Sequence, residues 1–419
     1  MVATELPMEL WDMTISYLHD DLKALSACGQ TCRAMVPIAR PYLFRDISFS
    51  SDNELTVFDE LLSSSPHLAS YARSIRLLGV VREIPELRKL GLRQFAIWRH
   101  ILPAFLDMLP AVTQLKAKHL YLHGPPLDNL IQLASPVKHL ILEDCKFKDI
   151  LDFSRLVASF PELEQITLER VCMEEMEDDE NLFDSTPLPP PQLRQIALAN
   201  MPDSSIVDWL LGEDNKIDSL VHQIGWNGIT GSTMLEYMLV ELGPYLRNLH
   251  LRVGTDADFD DFTGTYGPPE VSLTPCTALE SCTLQIVLAQ EFHRDSPELS
   301  WAPMLLAQLS APELRTLVLR LVAPHMGGIN RDGTWDYHRN TTVPFDDLSA
   351  LDWPAIEAAL ARDACKGLRQ FVLEGFGEAA ALEATIKERC PQLHERGILL
   401  LRSVEFVMKQ QDATNLGSR

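Results

Sequence analysis

The chain contains no C-x-x-C pair, G-x-S-x-G elbow, H-E-x-x-H helix, Walker loop or G-x-G-x-x-G turn. These patterns exist because zinc, a nucleophilic serine or a nucleotide phosphate each need particular groups at fixed spacing. Without them no cofactor or metal is expected. An enzyme whose site is assembled from distant residues stays open as a remote alternative. Asp256-x-Asp258-x-Asp260 suggests a calcium loop, but Asp261 stands where that loop needs glycine and Gly267 where it needs glutamate. It reads as a solvated acidic stretch.

Positive charge is also scarce. Lys and Arg number 36 against 59 Asp and Glu, a formal net charge of -23. Binding to nucleic acid requires cations that displace counterions from phosphate, so no nucleic-acid partner is expected. The loose basic stretch of Arg82, Arg88, Lys89, Arg93 and Arg99 has no interleaved aromatic ladder and reads as a solvated helix face. No apolar run approaches the roughly 20 residues of a membrane span. The first residues, MVATELPMELW, have neither a basic nor an apolar signal region, so no membrane association and no secretion are expected. The eight cysteines are scattered along apolar segments, where a thiol serves as a small hydrophobe. A reducing compartment, cytoplasm and/or nucleus, follows as the expectation. The sequon Asn340-Thr341-Thr342 then reads as coincidence.

What is present divides into two textures. In residues 1–48, Pro7 suits a first helical turn. Leu10, Trp11, Ile15 and Leu18 form a stripe at helical spacing. Asp20 and Asp21 are placed to cap a second helix carrying Leu22, Leu25 and Cys28. A third apolar segment runs from Cys32 to Phe44, with Pro37 and Pro41 expected to segment it. So small a module buries little surface unaided and should lean on a partner or on the rest of the chain.

The run LPMELWDMTISYLHDDLKALSACGQTCRAMVPIARPYLFRDI resembles an F-box, in the form common among fungal F-box proteins. The matching positions are Leu6, Pro7, Glu9, Leu10, Ile15, Leu18, Leu25, Cys28, Cys32, Arg33, Leu43 and Phe44. The resemblance covers about a tenth of the chain. Gln30-Thr31 stands where Leu-Val is frequent in that family, and Met35 where Trp is common. The resemblance implies docking onto the Skp adaptor of a cullin-based SCF ubiquitin ligase. It assigns adaptor contact to Leu6, Pro7, Glu9, Leu10, Ile15, Leu18, Leu25 and Cys32. A plain helical cap on the rest of the chain is the alternative.

From residue 60 onward one phrase recurs: a helix-like segment, then Pro or Gly, then L-x-x-L-x-L. Its copies include SPVKHLIL, FPELEQITL, PPQLRQIAL, GPYLRNLHL, CTALESCTL, APELRTLVL and KGLRQFVL, with weaker ones near Ala72, Val112, Ile217 and Leu393. The final L-x-L alternates as a half-buried strand must. The intervening segments have helical period, as in Phe153, Leu156, Val157 and Phe160, with Asp203 and Ser232 at N-cap positions before later helices. Strand plus helix every roughly 25 to 35 residues resembles a leucine-rich-repeat solenoid, an α/β array with parallel strands inside and helices outside. A run of unrelated α/β units is the alternative. The repeat is expected over 49–403, with loop insertions at 173–191, 254–275 and 322–351 and a polar tail at 404–419. The last insertion carries His325, Trp335, Tyr337 and His338, suited to contact with a partner.

In each strand the residues flanking the last two apolar positions must point away from the core. That places Thr167, Asn248, His250, Arg252, Thr283, Val318, Arg320 and Val372 on the inner face of such an array as candidate target-binding residues. The expected function is substrate recognition within an SCF-type ligase, in which one end grips the adaptor and the other holds an unidentified target protein. Such a device works by proximity and needs no catalytic residue. A repeat scaffold without ligase function is the competing expectation.

Overall fold

The computed structural model describes residues 8–19, 21–31, 33–79, 109–131, 136–174, 186–202, 204–211, 220–226, 233–253, 271–288, 297–324 and 340–403. The chain divides into two compact units, Met1–Leu220 and Val221–Arg419.

The first unit begins with three helices, α1 (Met8–Ser16), α2 (Leu22–Thr31) and α3 (Val36–Leu43). Ile15, Leu25 and Ile38 are buried between them, with Trp11, Leu18, Cys28, Met35, Tyr42 and Leu43 packed around. Asp21 accepts the Ala24 N–H at 2.9 Å, the N-cap expected for α2. The third segment is a single helix with Pro37 in its first turn and Pro41 inside it, rather than pieces divided at the prolines. Tyr42 donates its hydroxyl to Asp12 at 3.1 Å, tying α3 to α1. Burial, then Asp12, raises the Tyr42 pKa. Strand β1 (Asp46–Phe49) follows at once, and α4 (Asp52–Ser64) is capped by Ser51.

The sheet of this unit is parallel and follows chain order. It comprises β1, β2 (Ser74–Leu78), β3 (Gln114–Lys118), β5 (His139–Glu143), β7 (Gln165–Glu169) and β9 (Gln195–Ala199). Each recurring phrase becomes one strand, and register aligns the leucines into rows. Ile75, Leu115, Leu140, Ile166 and Ile196 form one buried row, and Leu77, Ala117, Leu142, Leu168 and Leu198 the next. A fully buried Leu or Ile is worth about 1.5–3 kcal/mol, a gain no repeat realises without its neighbour. The Phe153, Leu156, Val157 and Phe160 face is wholly buried, and Phe153 meets Phe147 and Trp209 edge-on at 5.4 and 5.6 Å.

A device not foreseen from the sequence closes four of these strands. His119, Asp144, Arg170 and Asn200 directly follow β3, β5, β7 and β9, and all have φ between 49° and 56°. A left-handed non-glycine residue costs of order 1–2 kcal/mol, and here a hydrogen-bond ladder offsets it. The N–H of His119 donates to Glu143 O, that of Asp144 to Glu169 O and that of Arg170 to Ala199 O, at 2.8–3.0 Å. Gly79 occupies the same corner after β2 and donates to Lys118 O; a Cβ there would lie 2.0 Å from His119 O. The bend leads into three two-residue strands, β4 (Tyr121–Leu122), β6 (Lys146–Phe147) and β8 (Cys172–Met173), which form a second parallel sheet.

The second unit repeats the architecture with longer strands. These are β10 (Val221–Trp226), β11 (Asn248–Val253), β12 (Ser281–Val287), β13 (Thr316–Pro324), β15 (Gln370–Gly375) and β16 (Leu399–Ser403), again parallel and in chain order. The weak copy expected near Ile217 falls instead at Val221, Ile224 and Trp226, all buried. Two arginines at equivalent places close helix ends that would otherwise leave carbonyls unpaired. Arg362 donates to Leu306 O and Leu309 O at 2.7 and 3.0 Å, and Arg396 to Leu360 O and Cys365 O at 2.9 and 3.2 Å.

The insertion expected over 322–351 is not all loop. Val322–Pro324 continue β13, and β14 (Asn340–Thr342) returns antiparallel on them. Val343, Phe345, Leu348 and Leu351 are buried in the core. Those four apolar residues supply the energy that orders the segment. His325, Trp335, Tyr337 and His338, the core of the 254–275 insertion, Arg82–Arg99, the caps Asp203 and Ser232, and the 404–419 tail lie outside the described residues.

Candidate binding surfaces

On the helical module, the residues assigned to adaptor contact separate by burial. Ile15 and Leu25 are buried and form the module's own core, so they shape a surface rather than supply it. Leu18 is half-buried against that core. Glu9 and Leu10 are exposed, while Leu6, Pro7 and Cys32 lie outside the described residues. Two further exposed residues, Met13 and Tyr17, join Leu10 and Leu22. Leu10, Met13, Tyr17 and Leu22 are 44%, 58%, 80% and 52% exposed. Leu10 and Met13 lie three residues apart on α1, Tyr17 follows in the turn at its C-terminal end, and Leu22 opens α2. Large apolar side chains kept in water this close together in sequence are candidates for contact with a partner. Met35 packs against the module core, and Gln30 and Thr31 are exposed, with Gln30 donating to Ser26 Oγ at 3.2 Å.

The second candidate surface is the polar side of the parallel strands, and it differs between the units. In the first unit the polar side chains bond one another. Gln114 donates to His139 Nδ1 at 3.2 Å, and His139 Nε2 donates to Thr167 Oγ1 at 3.1 Å. This is the neutral tautomer, and burial holds the His139 pKa below its usual value. Gln165 donates to Gln195 at 3.0 Å. Glu143 receives Lys116 in a very short contact and Lys118 at 3.3 Å. Desolvation alone would raise the Glu143 pKa, but the hydrogen bonds and charges of Lys116 and Lys118 together outweigh it and hold the pKa below its usual value. At the corner, Arg170 grips the nearly buried Asp144 through Nε at 2.5 Å and Nη2 at 2.7 Å. Thr167, a predicted contact residue, is thus already engaged within the fold.

In the second unit register builds three polar-side rows. Gln223, Asn248, Ser281, Thr316 and Gln370 form the first; Gly225, His250, Thr283, Val318, Val372 and Leu400 the second; Arg252, Gln285, Arg320, Glu374 and Arg402 the third. Val372 is fully buried and Val318 nearly so, which corrects their expected place on an open surface. Apolar neighbours in register pack on one another and shed their water. Arg320 is committed to Glu374 through Nε at 2.5 Å, and Arg402 reaches the other oxygen of that carboxylate at 3.1 Å. The Glu374 side chain is only 5% exposed. Asn248, His250, Arg252 and Thr283 remain part-exposed, as predicted for this side of the strands.

The described cysteines are free, and most are buried. Burial pushes the thiols of Cys145, Cys276 and Cys390 up to about 12, far from a reactive thiolate. Among the described residues no three or more His, Cys, Asp or Glu side chains gather as a metal site, and no helix is long and apolar enough to cross a membrane. Compared with known proteins, the chain matches no family model and no curated protein sequence.

Proposed function

We propose that the chain is the substrate-recognition subunit of an SCF-type ubiquitin ligase, working in the cytoplasm or nucleus. In this reading residues 1–48 are an F-box that docks onto a Skp adaptor, and residues 49–403 are a leucine-rich-repeat-like solenoid that holds the target protein. The observation that carries the reading is the exposure of Leu10, Met13, Tyr17 and Leu22 on a small three-helix module. It stands in the stretch whose sequence resembles an F-box. Buried at an interface, each such side chain would contribute about 1.5–3 kcal/mol. The repeat reading is supported by the recurrence of strand, left-handed corner and short outer strand in the first unit. Ubiquitin transfer itself would be performed by an enzyme brought through the cullin, with this chain setting only the target's proximity.

The test is co-purification of the full chain with a Skp adaptor. The wild-type chain is expected to associate, and the double variant Leu10→Arg, Tyr17→Arg to lose association while keeping its thermal unfolding midpoint. Both positions are exposed, so the fold does not depend on them. Undiminished association of the variant, or none by the wild type, overturns the ligase reading and leaves a repeat scaffold.

A further inference from the structure

The second unit's polar side holds donors that the fold does not use. Among the described residues, the side chains of His250, Arg252, Thr283 and Gln285 have neither a hydrogen-bond nor an ion-pair partner. They are grouped: His250 and Arg252 share one side of β11, Thr283 is in register with His250, and Gln285 is in register with Arg252. Strands lie about 4.8 Å apart, so neighbouring side chains reach a common small ligand. Arg252 is half-buried, burial lowers its pKa, and among the described residues no carboxylate opposes it. Partial burial of a guanidinium without a counter-charge is unfavourable. The same row shows the alternative, since Arg320 and Arg402 share Glu374. Within the three rows, three arginines face a single carboxylate, in a chain whose net charge is -23.

We infer that His250, Arg252, Thr283 and Gln285 form an oxyanion-binding subsite for a carboxylate or phosphate carried on an extended peptide segment. The guanidinium provides a planar pair of N–H donors that matches either oxyanion. The Gln285 amide, the Thr283 hydroxyl and the His250 N–H add neutral donors around it. Arg320, two strands from Arg252, is already neutralised, so Arg252 supplies the available charge. Apart from Glu374, which its arginines hold, the three rows bring no acidic side chain to compete for the subsite. The peptide lies along the strands' polar side, and its acidic or phosphorylated side chain fixes its register. This assignment rests on the reading of the second unit as the target-holding part of the chain.

The experiment uses the full chain and short labelled peptides of alanine and serine, identical except for one position carrying phosphoserine, aspartate or unmodified serine. Binding is read by fluorescence anisotropy, with inorganic phosphate as competitor. The wild type is expected to bind the phosphoserine or aspartate peptide and not the serine peptide, and phosphate to compete. Preference between the two identifies phosphate or carboxylate as the source. Arg252→Gln should weaken binding by about thirtyfold, the scale of removing one partner from a charged hydrogen-bonded pair. Gln285→Glu should do likewise while leaving the fold intact, because it gives Arg252 a carboxylate within the protein. Arg76→Gln, at an exposed sheet position of the first unit, serves as the control and should leave binding unchanged. Equal binding by wild type and Arg252→Gln, or no preference for the anionic peptides, overturns the subsite. Adaptor co-purification measured on the same variants keeps the two readings apart. Its loss would not touch the subsite, and loss of peptide binding alone would leave adaptor docking standing.

Discussion

The two units use one backbone plan and opposite side-chain policies on their polar strand faces. In the first unit glutamine, histidine, threonine, lysine and glutamate satisfy each other across register. In the second, His250, Arg252, Thr283 and Gln285 have no such partners among the described residues, while Arg320, in register with Gln285, has one. A face whose donors and acceptors are already matched stabilises its own unit and offers little to a partner. A face with surplus donors contributes less stability and keeps its binding capacity. On this basis the first unit spends its polar strand side on its own cohesion, and the proposed recognition falls to the second.

The contrast breaks most visibly at its strongest pair. Arg170→Ala leaves Asp144 nearly buried without its bidentate partner. The expected loss is about 2–3 kcal/mol by urea unfolding, below the about 3–5 kcal/mol of a fully buried pair because Arg170 is part-exposed. A loss within about 0.5 kcal/mol would mean that the corner ladder contributes little and that the units do not differ in this way. The polar ladder should come next. Thr167→Val removes the acceptor of His139 and should cost about 1 kcal/mol.

Proton linkage tests the same ladder. Burial depresses the folded His139 pKa below its unfolded value of about 6.5. Below that value the unfolded chain therefore binds more protons than the folded one. The stability associated with neutral His139 is fully present above about pH 6.5 and falls as pH drops toward the depressed value. Protonation also converts Nδ1 from acceptor to donor and removes the bond from Gln114. His139→Gln should flatten this part of the stability profile, and an unchanged slope between pH 5 and 7 would remove His139 from the ladder's energetics. The smallest effect is expected in the second unit. Arg252→Gln should leave stability unchanged or raise it by up to about 0.5 kcal/mol, since it removes a half-buried charge with no partner. Destabilisation by 1 kcal/mol or more would show that Arg252 supports the fold and would erase the distinction.

Much of the fold was legible because period-two leucines carry their own geometry. Leu140 and Leu142, Leu249 and Leu251, and Leu317 and Leu319 all fall on the buried side of strands. The helical stripe from Phe153 to Phe160 was equally readable. The left-handed corners were not, because His119, Asp144, Arg170 and Asn200 share no glycine to mark the turn. The buried end of the 322–351 insertion was hidden by its polar, aromatic surroundings. Alternation also gave the sidedness of Arg252 and Val372 but not their burial. Burial depends on what stands in register one strand away, and Val318 beside Val372 appears only once the strands are aligned. The α1 stripe shows the complementary gap. Ile15 and Leu10 are both apolar at helical spacing, and packing alone decides that one is core and the other surface.

Within each unit, strand order along the sheet is also the order in which the ribosome delivers the strands. A strand leaving the exit tunnel therefore finds its docking edge already made, because each strand pairs with the one that precedes it in the sheet's chain order. One junction is slower to supply. Thr316 pairs with Gln370, so β13 must present an open edge while the intervening insertion is translated. The antiparallel strand Asn340–Thr342 reaches the end of β13 before β15 exists. It thereby acts as a temporary guard on part of a growing edge that would otherwise be open to another nascent chain. Chains ending just before residue 340 and just after residue 343 should differ in aggregation, the longer being the more soluble.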